Sequence, residues 1–248
     1  MQSRNDIGFG KKIRATWLKQ ALEFVAQQTT FEDAKAVLSK EIAAENEGSE
    51  AIRKILTSLK RVWFTPPEYC QLLHHDAVNL FQKSPSNHLA SLLCWGMSVA
   101  AYPFVGAVAE SLGRLFKLQE VATRRDVERR IREQFGDRDF VARITRYNVS
   151  SFLDWGIIKE TKVAGVYIPG RKLTVSNSAE WAWLSEAILI STGKDQINIA
   201  EFRASPMLFP TLVDEFTTAA VKKHPRLQIV RQSLRDEVLV LGESSSAL

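Results

Sequence analysis

The sequence predicts a mostly α chain with small β-hairpins, organised in three stretches at residues 1–118, 119–176 and 177–248. Three observations carry that expectation. Apolar residues recur at helical spacing through the first stretch, and β-rich segments begin to alternate with helices after Leu118. The positive charge also gathers in the second stretch. With 248 residues, 45% of them hydrophobic and 25% charged, the chain has the composition of a folded globular protein.

The amino-terminal stretch reads as all helix. Residues 11–27 place Ile13, Trp17, Leu18, Ala21, Leu22 and Val25 on one side. Thr30, with Asp33 three residues on, predicts a capped helix running to about Ala44. A third helix over 49–63 carries the stripe Ile52, Ile55, Leu56, Leu59 and Val62. Thr65-Pro66-Pro67-Glu68 then predicts a helix start, with Thr65 as cap and Pro66 at the first helical position, continuing to about Lys83.

Residues 89–109 hold no charge for 21 positions, which is long enough to cross a bilayer. The run is rich in Ala, Ser and Gly and contains Pro103, so the expectation is two buried helices meeting at Tyr102-Pro103. A membrane is not an expected partner. Residues 1–20 carry Asp6 and several bases and no apolar segment, which predicts a cytoplasmic protein. Cys70 and Cys94 read as two reduced, buried thiols, with a disulfide as the alternative.

From residue 119 the order changes. Residues 119–122 predict one short strand. Thr123 caps a helix over Arg124–Phe135 that Gly136 ends, and Asp137 or Asp139 opens a longer helix that Gly156 stops. Segments 157–162 and 166–175 are β-rich, joined at Ala164-Gly165, with a second bend at Pro169-Gly170. Helix, short strand, helix, helix, hairpin is the order of a winged helix-turn-helix. Beyond it, Ser178 is expected to cap a helix containing Trp181, Trp183, Leu184, Ile188 and Leu189. A helix over 210–222 and a hairpin from 226–230 and 238–241 complete a carboxy-terminal helix-plus-hairpin unit, and 242–248 read as a frayed tail. No internal sequence repeat is evident.

Charge gives the second stretch its meaning. Residues 114–172 hold 14 Lys and Arg against 8 Asp and Glu, whereas the rest of the chain holds 19 against 20. Charge placed this way predicts a phosphate-binding surface and duplex DNA as partner, because neutralising phosphates releases counterions. On the second helix, Phe140, Ile144, Tyr147, Phe152 and Trp155 are expected on the buried side. Arg143, Arg146 and Ser150 then face a groove, while Arg124, Arg125, Arg129, Lys162, Arg171 and Lys172 grip flanking backbone. The alternative is a protein-interaction scaffold. In that reading the arginines of 124–133 pair with Glu128 and Glu133 on a solvated face, and either Trp181 and Trp183 or the amino-terminal helices offer the contact surface.

Catalytic and metal chemistry find little support. Asp154 with Glu160-Thr161-Lys162 is loosely like the carboxylates and lysine of a metal-dependent nuclease, but Asp154 ends a helix instead of lying on a paired strand. Cys70 and His74, with His75 beside them, give at most half a zinc site. No Gly-rich phosphate loop or dinucleotide fingerprint is present, so neither a metal nor another cofactor is expected, and the chain reads as non-catalytic.

In its helical amino-terminal half, the basic helix around Arg53 and Arg61, the apolar stretch of 89–116 and the Arg-rich helix pair ending in Ser151-Phe152-Leu153-Asp154-Trp155-Gly156-Ile157-Ile158, the chain resembles the BrxA family. These are small accessory proteins of BREX phage-defence systems. The resemblance covers about residues 10–175. It implies a winged-helix, DNA-binding accessory subunit that works with larger methyltransferase and ATPase partners in antiviral defence. The carboxy-terminal part from Ser178 is longer than the resemblance leads one to expect.

Overall fold

In the computed structural model, residues 8–45, 48–211, 218–221, 224–232 and 236–242 are described. The chain is mostly helical, with two small three-stranded antiparallel sheets among those residues. The amino-terminal helices are α1 (Ala15–Ala26), α2 (Phe31–Ala43), α3 (Ser49–Leu59), α4 (Gln71–Lys83), α5 (Asn87–Ala101) and α6 (Pro103–Gln119). Local chemistry sets several of their ends. The Thr30 hydroxyl accepts the Asp33 N–H at the start of α2, and Ser86 does the same for Leu89 at the start of α5.

One expected start is displaced. Thr65 does not cap α4: its N–H donates to the Lys60 carbonyl at 2.7 Å and closes a wide π turn over Lys60–Phe64. A 3-10 turn, Glu68–Cys70, intervenes, and α4 begins at Gln71. Thr65 ends one helix because its own donor is spent backwards, and Pro66 forces the chain extended before the next can start.

The apolar run forms two helices, as its proline implies. Tyr102 holds an extended backbone between them, Pro103 opens α6, and the two helices bend by 112°. No single helix among the described residues is long and apolar enough to cross a membrane. Every residue of α5 from Leu89 to Ala101 is buried.

The second stretch contains β1 (Ala122–Thr123), α7 (Arg124–Phe135), α8 (Asp139–Asp154), β2 (Ile158–Glu160) and β3 (Val166–Pro169). The strand expected over 119–122 is shorter and later, because α6 runs on to Gln119 and Glu120 caps it in the left-handed region at φ 62°. β3 lies between β1 and β2, with Thr123 opposite Val166 and Glu160 opposite Tyr167. It ends at Pro169, short of the expected 175, and Leu173 turns away to bridge Thr211.

The third stretch contains α9 (Ser178–Thr192), β4 (Gln196–Asn198), α10 (Ile199–Ala204), α11 (Thr218–Val221), β5 (Leu227–Arg231) and β6 (Glu237–Leu241). Asn177, one residue before the expected Ser178, caps α9 by accepting the Ala179 and Glu180 N–H groups, both at 3.0 Å. The closing hairpin forms, pairing Ile229 with Leu239. β4 and α10 were not foreseen. Residues 212–217 of the expected 210–222 helix, and 243–248 of the expected tail, lie outside the described residues. The sheet order is β4-β6-β5, so each sheet sets its last strand between the first and second. Helix, strand, helix, helix, hairpin is thus traced twice without a matching sequence repeat.

One apolar core runs from Phe9 to Leu239 through all three stretches. α9 is buried from Glu180 to Leu189 and packs against α5. Gly96 permits that approach, since a Cβ there would lie 2.4 Å from the Trp183 ring. The Trp183 indole N–H donates to the Leu73 carbonyl at 2.9 Å, which ties α9 to α4 as well. Each fully buried large side chain of this kind contributes about 1.5–3 kcal/mol.

Candidate nucleic-acid interface

The site is built from two helices and a hairpin. Thr123 and Asp126 fix the first turn of α7: the Thr123 hydroxyl accepts the Asp126 N–H at 3.1 Å and donates to the Asp126 carboxylate at 2.6 Å. Gly136, at φ 94°, ends the helix. Val127 and Ile131 face the core, which leaves Arg124, Arg125 and Arg129 exposed. The hairpin turn is held by Glu160, whose carboxylate accepts the Gly165 N–H at 2.6 Å. The Gly165 carbonyl in turn accepts the Arg124 N–H at 2.8 Å, so the tip is bonded to the start of α7.

A groove of about 730 Å³ follows from that junction, lined on one side by Arg124, Arg125, Arg129 and Arg132 interleaved with Glu128, Glu133 and Asp137, and on the other by Ala164–Val166. A smaller groove of about 290 Å³ continues between α7, α8 and the hairpin, with Arg124, Arg146, Ser150 and Tyr167 on its walls. The Arg124 guanidinium lies 3.4 Å from the Tyr167 hydroxyl, to which it donates. Lys162 is exposed on the hairpin turn.

α8 presents a narrow face. Arg143 and Arg146 are exposed, Ser150 is half-buried, and Ile144, Phe152 and Trp155 are buried. Phe140, expected inside, is 41% exposed because it stands in the first turn beyond the reach of the core, with Arg143 over its ring at 5.6 Å. Tyr147 is only half-buried, under the Lys11 ammonium.

Seven of the nine expected DNA-contacting residues therefore lie on α7, on the α8 stripe or at the hairpin turn. Arg171 and Lys172 do not join them. They lie at the base of the hairpin, and the Arg171 guanidinium donates to the Trp155 carbonyl at 2.7 Å, capping the end of α8. Several arginines carry partners: Arg129 with Glu133 at 3.1 Å and Asp126 at 3.7 Å, Arg132 with Asp137 at 3.0 Å, and Arg146 with Glu128 at 3.9 Å. Arg125, Arg143, Lys162 and Lys172 have no ion pair among the described residues.

The nuclease-like set does not assemble. Glu160 is occupied by the turn, and Asp154 is occupied by the amino-terminal segment, accepting the Ala15 N–H at 3.0 Å and pairing with Arg14 and Lys12, each at 3.1 Å. Burial works against the Asp154 charge, but these hydrogen bonds outweigh it and hold the carboxyl below its ordinary range. The half zinc site fares similarly. Cys70 is fully buried, and burial pushes its thiol up to about 12. His74 directs Nε2 to the Trp63 carbonyl at 2.7 Å, and His75 is exposed. Trp181 and Trp183 cannot serve as a scaffold's contact surface, because they are 3% and 1% exposed, which leaves that reading the amino-terminal helices.

Sequence reasoning missed one cluster. Asp76, Glu186 and His224 converge from α4, α9 and the segment before β5, with Arg226 among them. Arg226 donates to Glu186 at 2.7 and 2.8 Å and to Asp76 at 2.5 Å, while His224 lies 3.4 Å from Glu186. The guanidinium takes the position a cation would need. No sequence signal joins these residues, since at least 38 positions separate Glu186 from the other members.

Comparison with known protein families, curated proteins and solved structures finds no match to this chain.

Proposed function

We propose that the chain is a winged-helix protein that binds duplex DNA chiefly through phosphates, with α8 as the recognition helix and the β2–β3 hairpin as the wing. The observation that carries this reading is the sheet order β1-β3-β2 beside α7 and α8, with a groove whose four arginines outnumber its three carboxylates at the same place. In this reading Arg143 and Arg146 enter the major groove. Arg124, Arg125 and Lys162 meet the backbone beside the wing. The reading assigns no catalytic step and no cofactor.

The resemblance to the BrxA family supplies a context for the proposal: a cytoplasmic accessory subunit of a phage-defence complex with larger protein partners. A second reading, an interaction module of such a complex, draws on the internal pairing of Arg129 and Arg132.

Fluorescence anisotropy with a labelled duplex, run at two salt concentrations, tests the DNA reading. The expected result is tight binding at low salt whose logarithm falls with a slope of about −0.9 per neutralised phosphate. Arg124→Glu with Arg146→Glu should abolish it. Failure of the wild-type protein to bind any duplex at low salt overturns the proposal and leaves the interaction module.

A further inference from the structure

α8 has a second flank. Opposite the wing, a groove of about 760 Å³ lies between α8, α3 and the segment before α1. Arg143, Phe140 and Tyr147 form its α8 wall; Arg53 and Lys54 of α3, with Lys11, form the other. Arg53 is exposed and has no ion pair among the described residues, whereas Glu50, which also lines the groove, pairs with Lys54 at 2.6 Å. The Lys11 ammonium lies over the Tyr147 ring, 5.4 Å from its centroid, between the two walls.

We infer that this groove is a second backbone-binding site for the same duplex, with Arg53 as its leading phosphate contact. The inference rests on the DNA reading above and extends the interface into the amino-terminal helices. A helix with its side chains is about 10–12 Å across, and the major groove is about 12 Å wide. A helix seated there has one sugar–phosphate strand along each flank. The wing and α7 serve one flank, through Arg124, Arg125 and Lys162. On the other, α3 stands where a phosphate strand must pass and offers cations to it.

Two features suit a nucleic-acid strand better than a bare anion. The exposed Phe140 ring, covered by Arg143 at 5.6 Å, offers apolar contact to sugars and thymine methyls at the edge of the groove. Arg143 lines one groove and Arg146 the other, so the exposed stripe of α8 borders both.

The test compares three variants with the wild-type protein by anisotropy on one duplex and its single strand, with melting temperature recorded for each. Arg53→Glu should weaken binding about tenfold at low salt and reduce the magnitude of the salt slope by about 1, with the fold retained. Arg53→Lys should keep most of the affinity. Arg124→Glu with Arg146→Glu reports on the wing side separately. If the wing-side variant loses binding while Arg53→Glu binds and titrates with salt as wild type, the second flank is overturned and the DNA reading stands. If wild type binds no duplex, both fall. Loss of single-strand binding in Arg53→Glu with duplex binding unchanged would also overturn the two-flank geometry. Should Arg53→Glu melt early, Arg53→Ala is judged by the same slope criterion.

Discussion

At the scale of single residues, the buried charges are the most informative. Arg226 stands between Glu186 and Asp76, and although burial opposes its charge, hydrogen bonds to both carboxylates raise its pKa. His224 beside them, and His74 at the Trp63 carbonyl, are both lowered from 6.5, in each case chiefly by burial. A histidine lowered on folding binds fewer protons in the native state than in the unfolded chain. Its stabilisation is complete above the unfolded pKa and is lost as pH falls through the window below about 6.5. Urea unfolding at a series of pH values between about 7.5 and 5.5 should therefore show stability falling with acidity. A His74→Gln, His224→Gln protein should show a flatter profile. An unchanged slope in that variant would assign the acid sensitivity to other groups. The sequence marked His74 only as half of a metal pair and did not mark His224, because the burial of both is produced by residues elsewhere along the chain.

Among the elements, α7 was legible and β4 was not, for a physical reason. α7 has a side-chain cap at Thr123, apolar positions at Val127 and Ile131, and a glycine stop, so its signals are all local. Replacing Thr123 by Ala should cost about 1 kcal/mol, seen as a lower melting temperature. It should also loosen the bond between the Arg124 N–H and the hairpin turn. Unchanged stability would show that the cap is redundant with that bond. β4 and α10 are three and six residues long, too short for a period to show, and β4 exists only because β6 lies beside it. Thr65 is the opposite case, a strong local signal overridden by the preceding turn. The α8 stripe was read correctly at Arg143 and Arg146, but Phe140 obeyed the helix period without meeting a core. The α3 wall of the second groove escaped notice because Arg53 and Arg143 are 90 positions apart.

The whole molecule is held together by close backbone approaches across the three stretches. Gly113 on α6 is one: a Cβ there would lie 2.3 Å from the Pro206 carbonyl oxygen, a backbone atom that cannot swing aside. Gly113→Ala should therefore destabilise the protein by about 1–3 kcal/mol, measured by denaturant midpoint, while leaving the Arg124–Arg146 groove intact. A neutral effect would mean that the Pro206 segment yields easily. The burial of α9 has a consequence for synthesis. Helices α4, α5 and α6 are made first, yet the Leu73 carbonyl and the face of Gly96 wait for Trp183, 87 or more positions later. Until the ribosome has released α9, the amino-terminal helices carry an open apolar slot. Completion of the core is thus a late event in translation, and the slot stays open to solvent up to that point.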